Sequence, residues 1–378
     1  MSMPPRKKRV VVFVASLGSG GAERVAVRIS GWLKDAGHEV CLLTLSGTES
    51  DFYSCPAGVL RLGLDMQHPN SNLAQAFMSN LKRLWAIRSA VKAFSADVTL
   101  SLGNRTNVLS LLATIGMQCW KVISERSDPV LEPLSPGWAL LRRLAYPMAS
   151  LHVSQSVRIS QWISAKFPRL KSEVIGNTHG VEFPVQTFKA DCRQGECSSN
   201  LELIAVGRLT RQKGIDILLE ALSIAAARGS RLIRLTLVGD GEDRAALELL
   251  TQRLGLQDQV VFAGKVADVT EWLSRSNAYV LPSRWEGFPN AMIEAMAVGM
   301  PVVAARCDGG VEDILGEVRD RFALEFPPGD VEALAVCLDR LANDAALRQR
   351  LARTSVQRAA HYSPAQISAA WIAVVEAE

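Results

Sequence analysis

Short apolar runs that lead into glycine-containing loops and then into helical segments recur along this chain. Val10–Leu17 precedes the loop Gly18–Gly21, and Leu201–Val206 precedes a loop that begins at Gly207. Brief apolar runs before such loops are typical of strands that are buried on both faces of a sheet. Strands that alternate with helices form parallel sheets, so the sequence predicts an α/β fold.

The repeating pattern is interrupted once, which predicts two domains. At 378 residues the chain is long for one domain, and residues 183–200 are polar and aperiodic. We predict one domain over 1–182, a linker over 183–200 and a second domain over 201–360. The last helix, over 361–378, is expected to cross back to the first domain. The predicted architecture is two Rossmann-like doubly wound domains facing a cleft, with ligands bound beyond the carboxyl ends of the strands.

The net charge of +4 is unevenly distributed along the chain. Residues 1–190 hold 22 Lys and Arg against 12 Asp and Glu, whereas residues 191–378 hold 20 against 26. A basic first half favours an anionic partner such as nucleic acid, a membrane surface or a phosphorylated acceptor. The segments 72–94 and 138–145 combine apolar and basic residues, so they are candidates for membrane contact, with ordinary packed helices as the alternative.

The first residues resemble a secretory signal, but a buried strand explains them better. The basic stretch Pro5–Arg9 leads into only about eight apolar residues that end in glycines, without a small-residue cleavage pattern. Seven cysteines without a Cys-x-x-Cys pair indicate neither a disulfide framework nor a structural zinc site. The run 107–123 carries too many polar residues to span a bilayer. A cytoplasmic setting follows.

The stretch from Leu281 to Pro301 carries the strongest chemical signal. Glu286 lies in a loop after an apolar run, and Glu294 lies about one turn into a predicted helix with Asn290 as its N-cap. Helical side chains tilt toward the N-terminus, so both carboxylates can line one pocket, beside amide groups suited to phosphate. The alternative is a surface strand-loop-helix whose glutamates are merely solvated.

A second group of candidates follows the first strand of the second domain. Arg208 and Lys213 supply a planar fork of donors and a mobile point charge, a pair suited to the two phosphates of a nucleotide. In the first domain, Gly18–Gly21 is not a dinucleotide fingerprint, because Glu23 stands where that motif needs a small residue. No phosphate-binding loop of the Gly-x-x-x-x-Gly-Lys type and no Asp-x-Asp at a strand end occurs, so no metal ion is expected.

Four motifs stand in order at the predicted strand ends. They are Gly20-Gly-Ala-Glu-Arg24, the loop from Gly207 to Gly214 with Arg208 and Lys213, Gly239-Asp-Gly-Glu242, and Glu286 with Glu294 in the stretch 283–294. Together they resemble the retaining GT-B glycosyltransferases of family 4, over most of the chain. The resemblance implies sugar transfer from a nucleotide donor with retention at the anomeric carbon. The second domain would hold the donor and the first the acceptor.

The resemblance also implies a set of site residues. Arg208 and Lys213 would bind the diphosphate, Glu294 the ribose, and Glu286 the hydroxyls of the donor sugar, so Glu286, Arg208 and Lys213 form the predicted catalytic group. The transition state would be oxocarbenium-like, with the departing diphosphate taking the acceptor's proton on the same face. The predicted donor-binding residues are Gly20, Gly21, Val266, Phe288, Pro289, Asn290 and Glu294.

The first domain departs from the family pattern in one loop. Many members carry a histidine where this chain has Ser124–Pro129. Arg126 cannot shuttle protons near neutral pH, so Arg126, with Glu125, is predicted to bind the acceptor or its phosphate. The pattern Ser-Glu-Arg-x-Asp-Pro is similar to bacterial members that build polysaccharide or lipid-linked oligosaccharide. With the basic first half, it favours a pyrophosphate-linked acceptor at a membrane.

The predicted function is retaining transfer of a hexose or N-acetylhexosamine from a UDP-sugar to a saccharide acceptor linked to lipid pyrophosphate. No metal, other cofactor or nucleic acid is expected, and the protein is placed in the cytoplasm, peripheral to the inner face of the membrane. One alternative is a nucleotide-sugar 2-epimerase, which would not be expected to carry the Glu286 and Glu294 pair. Another is a non-catalytic glycosyltransferase-like subunit, which would typically lack the phosphate or carboxylate residues found here.

Overall fold

The computed structural model describes residues 7–18, 20–67, 73–180, 201–229, 232–266 and 268–377. The chain divides into two compact units. One comprises Met1–Gly176 with Ile367–Glu378, and the other comprises Asn177–Gln366. The predicted linker 183–200 lies outside the described residues.

The first unit is built on a seven-stranded parallel sheet in the order β3-β2-β1-β4-β5-β6-β7. The predicted strands are confirmed, β4 and β6 with identical bounds. Two edge strands, β3 and β7, were not predicted, because their residues are only partly buried and give no continuous apolar run. The strands are β1 Arg9–Val14, β2 Glu39–Thr44, β3 Leu60–Gly63, β4 Val98–Leu102, β5 Trp120–Glu125, β6 Leu151–Ser154 and β7 Ser172–Val174.

Helices cover both faces of the sheet and connect its strands, except that a segment without a helix, residues 45–59, joins β2 to β3. The predicted helices that open the chain and follow residue 72 are both confirmed. The helices of this part are α1 Gly21–Asp35, α2 Leu73–Ala93, α3 Asn104–Ala113, α4 Pro136–Ala145 and α5 Val157–Lys166, with a short 3₁₀ turn over Tyr146–Met148.

The second unit is a six-stranded parallel sheet in the order β10-β9-β8-β11-β12-β13. Its strands are β8 Leu201–Val206, β9 Ile233–Val238, β10 Val260–Gly264, β11 Ala278–Leu281, β12 Val302–Ala305 and β13 Leu324–Phe326. Its helices are α6 Ile215–Ala227, α7 Arg244–Arg253, α8 Val269–Ser274, α9 Asn290–Ala297, α10 Gly310–Leu315, α11 Val331–Asn343 and α12 Ala345–Ala359, with 3₁₀ turns over Arg211–Lys213 and Ala360–Tyr362. The sequence predicted every strand except β13, which has only three residues.

The last helix, α13 (Pro364–Glu376), contributes to the core of the first unit. Its buried residues Ile367, Trp371 and Val375 join the cluster that α1 forms with β1. Trp371 is among the largest fully buried side chains. Burying side chains of this kind contributes about 1.5–3 kcal/mol each, so a helix far along the chain is firmly fixed to the first sheet.

Both sheets change direction in the middle, and these switch points locate the candidate sites. In the second unit the chain runs outward from β8 through β9 to β10, then restarts at β11 on the other side. The loops after β8 and β11 therefore leave the sheet as neighbours at its carboxyl edge. In the first unit, β1 and β4 are the neighbouring strands at which the chain changes direction, so the loops that follow them also lie side by side. Ligands of doubly wound sheets bind at such points.

Candidate functional site

Lys213 and Glu286 form an ion pair at the switch point of the second sheet. Lys213 lies on the 3₁₀ turn that follows β8, and Glu286 lies in the loop that follows β11. Lys213 Nζ donates to Glu286 Oε1 at 2.5 Å, and Ser283 Oγ donates to the same oxygen at 2.6 Å. The Glu286 side chain is 4% exposed and that of Lys213 is 19% exposed. Two donors on one oxygen fix the orientation of the carboxylate.

Glu294 lies close to the same place. It is in the second turn of α9 and is buried. The hydroxyl of Tyr279, on β11, lies near both carboxylates. Burial raises the pKa of this hydroxyl well above 10, and the negative charges of Glu286 and, to a smaller extent, Glu294 raise it further. The structure thus brings the two predicted carboxylates and the predicted lysine to one edge of one sheet.

The start of α9 differs from the prediction that Asn290 is its N-cap. Pro289 occupies the N-cap position and Asn290 is the first helical residue. The Asn290 side chain is used differently: its Oδ1 accepts a hydrogen bond from Nδ2 of Asn177 at 2.8 Å. A partner 113 residues away satisfies this amide, and no local pattern could have indicated it. The predicted helix stop is confirmed, since Gly299 has a φ of +81° just after the helix.

The loop that carries Glu286 is clamped by the segment after β12. Glu286 N–H donates to Asp308 O at 3.2 Å, and Gly310 N–H donates to Gly287 O at 3.1 Å. Gly309 has a φ of +111°, and a Cβ built on it would stand 1.7 Å from the carbonyl oxygen of Glu286. Only glycine fits this crossing.

Arg208 lies immediately after β8 and is exposed. The carbon chain of Lys213 passes over Gly207, where a Cβ would meet Lys213 Cε at 3.0 Å. The next loop crosses closely: Gly239 has a φ of +133°, and a Cβ there would stand 1.9 Å from Gly207 O. Closely packed glycines therefore shape the loop that carries the exposed Arg208 and the partly buried Lys213.

The other predicted donor-binding residues occupy two places. Phe288 is buried, with its ring centroid 5.8 Å from that of Tyr362. Val266 follows β10 and is partly buried against the cluster that contains Phe288. Gly20 and Gly21 lie in the other unit, where Gly20 caps α1 and Gly21 begins it. Their role in donor binding stays a prediction.

In the first unit, Glu125 is the centre of a buried polar network. It ends β5, is fully buried, and its Oε1 accepts from the hydroxyl of Tyr146 at 2.5 Å. Arg142 Nη1 lies 3.7 Å from the same oxygen, and Asn107 Nδ2 donates to Tyr146 at 3.3 Å. Burial raises the pKa of Glu125 to about 7, against the lowering effect of Tyr146 and Arg142. The structure therefore shows an inward-facing carboxyl, and its role in acceptor binding stays a prediction.

Arg126 follows directly and is partly buried. Its Nη1 donates to Ser124 Oγ at 3.4 Å, and its carbonyl accepts from Gln155 Nε2 at 3.1 Å. Burial lowers its pKa to about 10, which leaves it a cation near neutral pH. Asp128 shapes the next turn, because it accepts from the backbone of Val130 at 2.8 Å and pairs with Arg158 at 2.9 Å.

We expect Glu125→Gln to change how stability depends on pH. A carboxyl whose pKa is raised in the folded protein stabilises it below the unfolded value of 4.5, and that contribution is lost as pH rises through about 7. The glutamine variant keeps an oxygen that accepts the hydrogen bond from Tyr146, and because glutamine does not ionise, its stability does not fall over this pH range. Its free energy of unfolding, relative to the original protein, should rise by about 1–3 kcal/mol between pH 5 and 8. Urea unfolding at four pH values measures this, and a constant difference would contradict it.

Sequence reasoning missed several residues of the second-unit site. Gly309 had a usable signal, because it stands in a Gly-Gly pair after an apolar run, as Gly20 does in the first domain. Ser283, Tyr279 and Asn177 had none. Their importance rests on hydrogen bonds or burial that depend on where distant segments pack.

Two family models match the chain. The description "Glycosyl transferase 4-like domain" matches residues 20–178, and "Glycosyl transferases group 1" matches residues 200–344. Together they span most of the sequence, one in each unit.

Several curated relatives match over almost their full length. The chain is 27% identical to the "GalNAc-alpha-(1->4)-GalNAc-alpha-(1->3)-diNAcBac-PP-undecaprenol alpha-1,4-N-acetyl-D-galactosaminyltransferase" of Campylobacter jejuni, covering 97% of this chain and 98% of that protein. It is 24% identical to the amylovoran biosynthesis glycosyltransferase AmsD of Erwinia amylovora, covering 96% and 98%.

Solved structures share the fold. Sucrose-phosphate synthase from Thermosynechococcus elongatus matches with a TM-score of 0.78 at 19% identity, covering 96% of this chain and 97% of that one. Anabaena Alr3699/HepE in complex with UDP-glucose matches with a TM-score of 0.75 at 20% identity, covering 98% and 100%. With two parallel-sheet α/β units, paired family models and full-length relatives, the chain belongs to the GT4-like glycosyltransferases of the GT-B fold.

Proposed function

We propose that this glycosyltransferase moves a hexose or N-acetylhexosamine from a UDP-sugar to a saccharide linked to lipid pyrophosphate, with retention at the anomeric carbon. The observation that carries the proposal is the Lys213–Glu286 pair at the switch point of the second sheet. It sets a cation suited to a diphosphate directly beside a carboxylate suited to sugar hydroxyls.

Charge development explains the proposed roles of the cations. When the bond from the anomeric carbon to the diphosphate breaks, negative charge grows on the departing phosphate oxygens. Lys213 and Arg208, on the rim after β8, stabilise that charge and make the diphosphate a better leaving group. This role needs no metal ion, so we propose that transfer is metal-independent.

The geometry favours a positioning role for Glu286 rather than a nucleophilic one. Its Oε1 accepts hydrogen bonds from both Lys213 and Ser283, which holds the carboxylate in one orientation. A carboxylate so held orients hydroxyls of the donor sugar. The proton of the acceptor then passes to the departing diphosphate on the same face, so the two glutamates differ from the acid and nucleophile of a glycosidase.

The names of relatives support the acceptor class. The Campylobacter jejuni relative at 27% identity is named for an undecaprenol diphosphate saccharide, and a second from the same organism, at 24% identity, is also named for a diphospho-undecaprenol acceptor. The Erwinia relative is named for a bacterial polysaccharide, amylovoran. We propose the same class here, in cell-surface polysaccharide or glycan assembly.

Two helices of the first unit support contact with an anionic membrane from the cytoplasmic side. On α2, Phe77, Leu81 and Trp85 are exposed, Trp85 by 73%. On α4, Leu140 and Leu144 are exposed. The exposed cations on these helices are Lys82, Arg88, Lys92 and Arg143, of which Arg88 also donates to a backbone carbonyl, as does the partly buried Arg83. Across the described parts of the chain, no helix is both long and apolar enough to cross a bilayer.

We expect the double variant Phe77→Ser/Trp85→Ser to lose binding to vesicles that contain 30% phosphatidylglycerol, by about tenfold or more, because two exposed aromatic side chains supply the inserted area. Cosedimentation measures binding, and salt should weaken it. Leu249→Ser, on an exposed leucine of α7, is the matched control and should bind normally. Equal binding by all three proteins would contradict a membrane face on α2.

The function is tested by incubating the purified protein with a panel of UDP- and GDP-sugars, EDTA, and a short lipid-pyrophosphate oligosaccharide. We expect UDP release from one donor only when the acceptor is present, with the new linkage α for an α donor. A donor that is epimerised without acceptor would establish the 2-epimerase instead, and binding without turnover would indicate a non-catalytic subunit.

A further inference from the structure

The turn over Arg211–Lys213 and the loop over 282–289 are joined by more than the Lys213–Glu286 pair. Backbone N–H of Arg284 donates to Gln212 O at 2.8 Å, and Gln212 Nε2 donates to Trp285 O at 3.0 Å. These two bonds connect the residue just before Lys213 to the two residues just before Glu286.

The Arg284 guanidinium adds a second layer to this connection. Its Nη1 donates to Arg211 O at 2.9 Å and to Asp216 Oδ1 at 2.8 Å, while its Nη2 donates to Asp216 Oδ2 at 2.7 Å. Asp216 lies in the first turn of α6. One planar side chain thus binds the turn, the following helix and its own loop, a geometry that lysine cannot reproduce. We call these contacts of Gln212, Arg284 and Asp216 the loop latch.

The path of the backbone shows why a latch is needed here. Gly214, with a φ of +61°, passes so close to the other loop that a Cβ would stand 2.2 Å from Pro282 O. A phosphate group that binds Lys213 competes with Glu286 for the ammonium, so the side-chain pair alone cannot hold the loops in register during the reaction. The latch does not involve either side chain and stays intact.

We infer that Arg284 is a positioning residue of the transferase, which holds the turn of Lys213 and the loop of Glu286 in register so that both act on one donor molecule. This inference rests on the proposed donor-binding roles of Lys213 and Glu286. The Arg284 and Asp216 side chains are 26% and 42% exposed, so the pair contributes little to global stability. A displacement of about 1 Å at the reacting groups lowers rates by about 100-fold.

The test compares Arg284→Gln and Arg284→Lys with Arg228→Gln. Arg228 forms two ion pairs near the opposite end of α6, with Glu332 and Asp339, and is the matched control. We expect Arg284→Gln to lower kcat about 10- to 100-fold with a small change in the donor KM and in Tm, since register rather than folding is affected. Arg284→Lys should recover only part of the loss, and Arg228→Gln should behave as the original protein.

Hydrogen–deuterium exchange provides a readout that does not depend on activity. Segments 209–216 and 282–288 should exchange several-fold faster in Arg284→Gln, and neither should change in Arg228→Gln. If both segments stay protected, or if kcat and Tm fall in parallel, the inference is overturned. Should the original protein turn over no donor, the proposed function fails, and exchange alone decides whether the latch holds the two loops together.

Discussion

Replacing Glu286 by glutamine is expected to lower kcat/KM by about 100- to 1000-fold. Glutamine has nearly the same shape and keeps an oxygen for Lys213 and Ser283, but it loses the negative charge beside the ammonium. With the role proposed for Glu286, the hydroxyls of the donor sugar would then bind a neutral amide whose orientation is no longer fixed by an ion pair. Steady-state kinetics with the donor found in the panel assay measures the loss.

The control for this prediction is Glu248→Gln, on a glutamate of α7 whose side chain is 44% exposed and pairs with Arg244 at 2.8 Å. Surface ion pairs of this kind contribute little to folding stability, so the kinetics and Tm of the Glu248→Gln variant should match those of the original protein. Glu286→Ala, which also removes the acceptor oxygens, should abolish transfer. A Glu286→Gln enzyme within about threefold of normal activity would remove Glu286 from the catalytic group.

Gly309→Ala should destabilise the second unit by about 2–4 kcal/mol and remove most activity. The added methyl would stand 1.7 Å from Glu286 O, and the φ of +111° is unfavourable for alanine. To accommodate the methyl group, the backbone hydrogen bonds between the segment after β12 and the loop that carries Glu286 must break, which displaces that loop. Denaturant unfolding and donor turnover, measured on the same preparation, test both parts.

Gly316→Ala separates the clash from backbone strain. Gly316 also has a positive φ, +72°, but a Cβ there would meet nothing within 4 Å. We therefore expect only the cost of backbone strain, about 1–3 kcal/mol of unfolding free energy, and nearly normal turnover. If the two alanine variants are equally stable and equally active, the close approach of Gly309 to Glu286 is not important for the site.

Local sequence pattern was sufficient for most of the fold. Strands β4, β6, β8 and β11 were predicted with identical bounds, because strands covered by helices on both faces are continuous apolar runs. The missed strands β3, β7 and β13 lie at sheet edges, are three or four residues long, and lack such a run in the sequence. Pattern reasoning therefore works best where burial is complete.

The same reasoning placed two of the predicted site residues at the carboxyl edge of the second sheet. Lys213 and Glu286 were identified because each follows a predicted strand, and residues at the carboxyl ends of parallel strands meet at one edge. Their direct contact was not predicted and is seen only in the structure. The local sequence did not indicate that Asn290 would begin α9 rather than cap it. The Asn290 side chain accepts a hydrogen bond from Asn177, which is 113 residues away in the sequence.

By itself, then, the sequence determined that the chain forms two parallel-sheet domains, and it determined which residues stand in the loops after their strands. Both follow from the short-range periodicity that marks strands and helices. Only the tertiary structure decided which side chains those residues contact. Ser283 and Lys213 converge on one oxygen of Glu286, Arg284 reaches Asp216, and Glu125 turns inward to Tyr146. The contact of Ser283 with Glu286 is local. The other contacts join residues about 20 to 70 positions apart in the sequence, and they form only when each sheet brings its loops together.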